Sequence, residues 1–548
     1  MRKTDAFRRA AALMAALSIT VSLAAPAFAG TYYIDDGDIT ITKNADGSQT
    51  IKQQGKEDCT DQVGDETVIT THGQAITSLE SDLEGPAAED SGFGPVVEDN
   101  YQPAAPAQPE DAEEPKDADQ PEGADQPESA DQQKDADQPE GADQPESTDQ
   151  PKDADQQESA DQPESADRQA QPQQAAPAAA PAAPAPVNPK ENGFFGNTIT
   201  VINNFANTVL NLTLRDVKID VSDTGSYWVE GKAALSVQGK GNVEIELDGK
   251  NELKSGVQRA GLEKNTSTST GTLTLKDDKE AGSGSLKATG GKYGAGIGGG
   301  NYGSGENITI TGGRVNATGG WGSAGIGGGN YGSGNYGSGK TITIKGGTVT
   351  AKGGDCGAGI GGGNGGIGEN IKITDGTVNA TGGWGGAGIG GGDGGYGGYG
   401  NGKNITITDG TVTATGGIHG AGIGGGGIGM YDGYTNGENI TINGGTVTAT
   451  GGDHGAGIGG GSGSIGSGGG GYGSGKDITI NGGTVIAAGG KEAAGIGGGD
   501  SGSSENITIT GGTVTAKGGE FGAGIGGGES GSGSNVTCLL YTSPSPRD

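Results

Sequence analysis

Eight copies of one hexapeptide, Ala-Gly-Ile-Gly-Gly-Gly, run from Ala295–Gly300 to Ala523–Gly528. Their isoleucines recur at spacings from 29 residues (Ile297 to Ile326) to 38 (Ile458 to Ile496). A fixed minimum period with insertions is the signature of a solenoid, in which each repeat is one coil stacked on the next. The coil Asn404–Gly426 reads NITITDGTVTATGGIHGAGIGGG. Ile405 and Ile407 alternate with threonine, then Val412 and Ala414 do the same, and Ile423 follows among glycines. Period two sends these five apolar residues to one face and the threonines to the other. Three short strands joined by glycine turns predict a triangular coil, and no helical period competes. Five apolar side chains cannot offset the entropy of ordering a coil of this length, so the coils are expected to fold only when stacked.

With 121 glycines and 4% aromatic residues, the chain lacks the material for several conventional globular cores. Its net charge of −34 disfavours nucleic acid and anionic membrane surfaces as partners. Residues 1–29 read as a secretory signal. Arg2, Lys3, Arg8 and Arg9 precede an apolar run, and Ala27-Phe28-Ala29 offers a cleavage site before Gly30. Export to the extracellular space or cell wall follows, with no membrane insertion. Cys59, Cys356 and Cys538 are too few and too scattered for a disulfide framework.

Residues 30–84 form a short β segment with one or two strands, around Ile39 and Ile41 and around Val68 and Ile69. Residues 85–190 change to near-tandem ADQPES and ADQPEG units and an Ala-Pro tract, the composition of a disordered acidic spacer. Residues 191–262 read as degenerate capping coils, with Ala260-Gly261-Leu262 an imperfect first hexapeptide, and residues 263–537 as the regular repeats. Residues 538–548, CLLYTSPSPRD, resemble the in-frame translation of a sequencing-library adapter, so the natural C-terminus is expected to lie elsewhere.

Two columns set the expected register. Glu306, Lys340, Glu369, Lys403, Glu438, Lys476 and Glu505 alternate in sign along successive coils. Beside them Asn307, Thr341, Asn370, Asn404, Asn439, Asp477, Asn506 and Asn535 suggest a stacked amide ladder.

Chemistry-bearing motifs are sparse. Gly334–Thr341, GNYGSGKT, matches a phosphate-binding pattern but is followed by a strand where that site needs a helix. The loops lack the Gly-Gly-x-Gly-x-Asp of calcium-binding repeats. Asp375 and Asp409 align in adjacent coils, which would suit a glycosidase pair, but both read as Asp-Gly turns. His419 and His454 also align and read as solvated turn histidines, two ligands being too few for zinc. No catalytic residue, metal or cofactor is expected.

Aromatic residues of the loops are the candidate ligand-binding set. Tyr293, Trp321, Trp384 and Phe521 precede the hexapeptide; Tyr302, Tyr331, Tyr336, Tyr396, Tyr399, Tyr431, Tyr434 and Tyr472 follow it. Flat rings with a polar handle on a rigid repeat suit the faces of sugars. Their other reading is as cover for the edge of the solenoid.

Across Val243–Gly300, VEIELDGKNELKSG…RAGLEKN…GTLTLKDD…GSLKATGGKYGAGIGGG resembles the carbohydrate-binding-domain β-helix proteins and glycine-rich-repeat surface proteins of Gram-positive gut bacteria. The resemblance implies a right-handed parallel β-helix on a secreted or wall-associated protein that binds carbohydrate, with residues 31–73 its opening strands and the disordered acidic segment an insertion. The chain is expected to be a monomeric, non-enzymatic solenoid that binds carbohydrate or mediates adhesion, with polysaccharide or host or cell-wall glycan as partner. The alternatives are an inert stalk presenting further modules and a polysaccharide-degrading enzyme.

Overall fold

The computed structural model describes residues 28–63, 66–72, 193–279, 283–330, 337–395, 399–427, 434–463 and 473–539. The chain divides into two units, Met1–Ser78 with Pro181–Asp548, and Leu79–Ala180. The second unit and the expected spacer lie outside the described residues. The same holds for residues 1–27, which carry the charged and apolar parts of the expected signal.

Each regular coil contributes one strand to each of three sheets. In the coil discussed above these are Gly402–Ile407, Thr411–Thr415 and the two-residue strand Ile423–Gly424. Like residues pair in parallel with like, coil after coil: Val378 with Val412 with Val447, and Ile389 with Ile423 with Ile458. The described residues hold no α-helix, only a 3-10 turn at Ile34–Asp36. This is a parallel β-helix, with the right-handed sense that parallel crossovers adopt. Ile405, Ile407, Val412, Ala414 and Ile423 are all at most 1% exposed, as the period-two pattern requires, and Ala421 of the hexapeptide joins them. The core is a continuous column of such sets, one per coil.

The expectation of one or two N-terminal strands is an undercount. Five strands form, at Phe28–Tyr33, Ile39–Lys43, Gln49–Gln53, Cys59–Asp61 and Glu66–Thr70. They open the β-helix itself, as expected of strands that precede an insertion. Ile39–Lys43 pairs in parallel with Ile199–Asn203, and Glu66–Thr70 with Val209–Arg215, so the strands flanking the acidic stretch are neighbours in the same sheets. Ile39–Lys43, Gln49–Gln53 and Cys59–Asp61 pair antiparallel with one another at one end of a sheet. An antiparallel meander breaks the parallel repeat there, which suits a cap on an otherwise extendable stack. The coils read as degenerate are complete, with larger side chains: Leu262 stands in register with Ile297.

Both columns lie where their spacing places them. Lys403 is in register with Glu369 and with Glu438, and ion pairs form at Lys403–Glu438 (3.1 Å) and Lys340–Glu369 (3.9 Å). The amide ladder is present too, with Asn404 Nδ2 donating to Asn370 Oδ1 at 3.1 Å and Asn439 Nδ2 to Asn404 Oδ1 at 3.2 Å. Every member of that column has a left-handed backbone, with φ from +53° to +58°. Asparagine tolerates this region better than other side-chain-bearing residues, which is why the column is mostly asparagine. Thr341, β-branched at φ +54°, is its strained member.

Candidate functional site

The residue after each hexapeptide returns to the loop that precedes the hexapeptide one coil earlier. The Asp393 N–H donates to the Cys356 carbonyl, Ser462 to His419, and Asp500 to His454, at 2.7–2.8 Å. This backbone ladder builds a corner of the solenoid in which side chains from two loops meet.

At the N-terminal part of that corner, aromatic rings stack edge to face. Tyr227 contacts Trp228 at 4.5 Å and Tyr293 at 5.9 Å, and Tyr293 contacts Trp321 at 5.5 Å between centroids. Trp228 is 86% exposed and Trp321 44%. Tyr293, expected on an exposed loop, is buried at 8% between its neighbours. It therefore supports the flanking rings and does not offer its own face. Further along, Trp384 lies edge-on to His419 at 4.3 Å and is half-exposed. The intervening coil carries no aromatic residue there but Asp355 and Cys356. Phe521 stands alone near the other end, exposed beside Lys491.

Tyr399 and Tyr434 make a second platform. Their rings stack 6.0 Å apart and 6° from parallel, on adjacent coils beside a cleft of about 310 Å³ lined also by Ile367, Asn401 and Asn436. Tyr302 is exposed. Tyr331, Tyr336, Tyr396, Tyr431 and Tyr472 lie outside the described residues. Tyr227 and Trp228 are not in the expected ligand-binding set, because they lie outside the glycine-rich repeats. The signal available was a pair of adjacent aromatics in the glycine- and serine-bounded loop TGSYWVEG.

The two histidines lie in turns as expected, but His419 is not solvated. His419 is 7% exposed and stacks on His454 at 4.8 Å with rings 6° from parallel. Burial, and then the neighbouring His454, hold the His419 pKa below the usual histidine value. Asp375 and Asp409 sit in exposed turns, each carboxylate accepting the N–H of the glycine that follows it, at 2.7 and 2.8 Å.

Asp393 is 3% exposed, and burial raises its pKa although it accepts hydrogen bonds from the Gly395 N–H and the Cys356 thiol. Burial and then Asp393 push the Cys356 thiol up to about 12, so it is not a reactive thiolate. A carboxyl whose folded pKa exceeds its unfolded one favours the fold below the unfolded pKa and loses that contribution as pH rises through the folded value. Asp393→Asn, matching Asn301, Asn330 and Asn364 at the same place in other coils, is therefore expected to raise stability at pH 7.5 by roughly 1–2 kcal/mol. At pH 4 it is expected to change little. Urea midpoints at the two pH values check this, and an equal effect at both would contradict it.

With three parallel sheets and one coil per repeat, the class of protein is a parallel β-helix. Seven stretches match the family described as Beta helix repeat, at residues 308–330, 342–364, 371–393, 405–427, 440–462, 478–500 and 507–529. Each match runs from within the first strand of one coil to just past its third. No curated protein and no solved structure matches the chain.

Proposed function

We propose that this chain is an exported, non-enzymatic β-helix that binds polysaccharide, as an adhesive or glycan-recognising surface protein. The observation that carries the reading is the ring cluster Trp228, Tyr227, Tyr293 and Trp321, in which exposed Trp321 and Tyr227 pack on buried Tyr293, and exposed Trp228 on Tyr227, at one corner of a rigid stack. Coils rise by about 4.8 Å, comparable with one residue of an extended polysaccharide, so rings on nearby coils meet nearby sugars. Trp384 and the Tyr399–Tyr434 pair extend the same logic to later coils. The acidic net charge points to neutral or basic glycans. The exposed, self-bonded carboxylates of Asp375 and Asp409 favour a binding role over hydrolysis.

The test is affinity electrophoresis against a panel of neutral and amino-sugar polysaccharides. At least one is expected to retard the protein, and Trp228→Ala with Trp321→Ala to weaken retardation by about tenfold or more. Absence of retardation by any polymer, or equal retardation of the double variant, contradicts the reading. Release of reducing ends that is lost in Asp375→Asn would establish an enzyme instead.

A further inference from the structure

The C-terminal part of the same corner holds a different chemistry. His454 lies two residues before one hexapeptide, Glu492 two before the next, and Asp500 directly after it, so stacking brings all three together. Their donor atoms lie within 4.8 Å of one another. His454 Nδ1 is 2.5 Å from Glu492 Oε2 and 3.4 Å from Asp500 Oδ2. Yet Nδ1, closed off from solvent, makes no aligned hydrogen bond to either oxygen. Two carboxylates thus converge on one ring nitrogen without either satisfying it.

Donors that serve a common ion point at a shared centre and not at each other. An imidazole nitrogen with two carboxylates is a donor set that zinc accepts at about 2.0–2.2 Å, with water completing the shell. The backbone that carries the three side chains is fixed, and a side-chain rotation that draws Glu492 Oε2 back from Nδ1 by about 1 Å gives the separation that two ligands of one tetrahedral zinc require. The Asp500 N–H donates to the His454 carbonyl at 2.8 Å, Glu492 to Asp453 at 3.0 Å, and His454 to Ile418 at 3.0 Å. The ring is braced from behind by His419, itself packed against Trp384. The three side chains are 21–25% exposed at the edge of the corner.

We propose that His454, Glu492 and Asp500 form a zinc-binding site that joins two successive coils. Lewis-acidic zinc relieves the mutual repulsion of Glu492 and Asp500 and ties the coil of Ile458 to that of Ile496. A second His-carboxylate group, His72 with Asp35 and Asp36, differs in kind. There His72 Nδ1 makes an ordinary aligned hydrogen bond to Asp35 Oδ2 at 2.9 Å and the ring stacks on Tyr33.

The experiment uses untagged, chelator-treated full chain carrying His72→Ala, titrated calorimetrically with zinc chloride, with bound metal counted after dialysis. One zinc per chain with micromolar or tighter affinity is expected, together with a raised thermal midpoint. Adding His454→Ala, or Glu492→Gln with Asp500→Asn, is expected to weaken binding by about tenfold or more, while circular dichroism stays that of the parent. No zinc retained, or zinc retained equally after His454→Ala, overturns the proposal. So does a site that takes calcium or magnesium in place of zinc. The result is independent of whether any polysaccharide binds.

Discussion

Gly390→Ala is expected to destabilise the solenoid by several kcal/mol, in the upper range for a single substitution. Gly390 follows the core isoleucine of its hexapeptide with φ +138°, a region alanine adopts only under strain. A Cβ there would stand 2.0 Å from the carbonyl oxygen of Gly424 in the next coil, and its other near neighbours are backbone atoms of the same residue. Nothing flexible can move aside, so the two coils would have to separate. Gly526 supplies the control. It occupies the same place in the last described hexapeptide, with φ +145°, but its Cβ would meet only Ala523 Cβ at 3.1 Å. Gly526→Ala therefore carries the backbone strain without the clash, and the difference between the two urea midpoints isolates the stacking term. Equal midpoints would show that close coil approach is not what the glycine provides.

Ile389→Asp, one residue earlier, is expected to act by another route and to split the stack. Ile389 is fully buried, with Ile360 and Ile423 in register on either side. An isolated carboxylate in that column costs several kcal/mol or stays protonated, so the loss is greater at pH 7 than at pH 4. Because coils stabilise mainly their neighbours, amide exchange should accelerate first around Ile360 and Ile423 and last around Ile297. Ile389→Val, which only trims a methylene, is expected to cost about 0.5–1.5 kcal/mol. Uniform acceleration along the chain would mean that the solenoid unfolds as one unit.

These two residues show how far the hexapeptide could be read in advance. That its isoleucine fills the third side of the core follows from period two and the repeat. Why the next residue is glycine does not, because the carbonyl that excludes a side chain belongs to another coil. The asparagine column divides the same way. Its spacing announces a ladder, whereas the left-handed backbone that selects asparagine, and strains Thr341, emerges only with the register skip at that position.

The candidate sites were less legible. Trp321 and Trp384 stand out in a glycine-rich loop, but whether a ring is presented or buried depends on the loops above and below it, and Tyr293 shows the difference. The carboxylate beside His454 in sequence, Asp453, is not the one its ring meets; Glu492 and Asp500 reach it because the chain passes once around the solenoid before returning.

Local alternation and an in-register repeat are enough to specify the coil, its core and its stacking, since each coil repeats the same contacts with its neighbours. Which loop side chains meet is decided by the stack, because inserts of unequal length obscure the columns along the chain while the backbone ladder restores them in space. That is how two histidines that read as turn residues come to stand against each other, one of them facing two carboxylates.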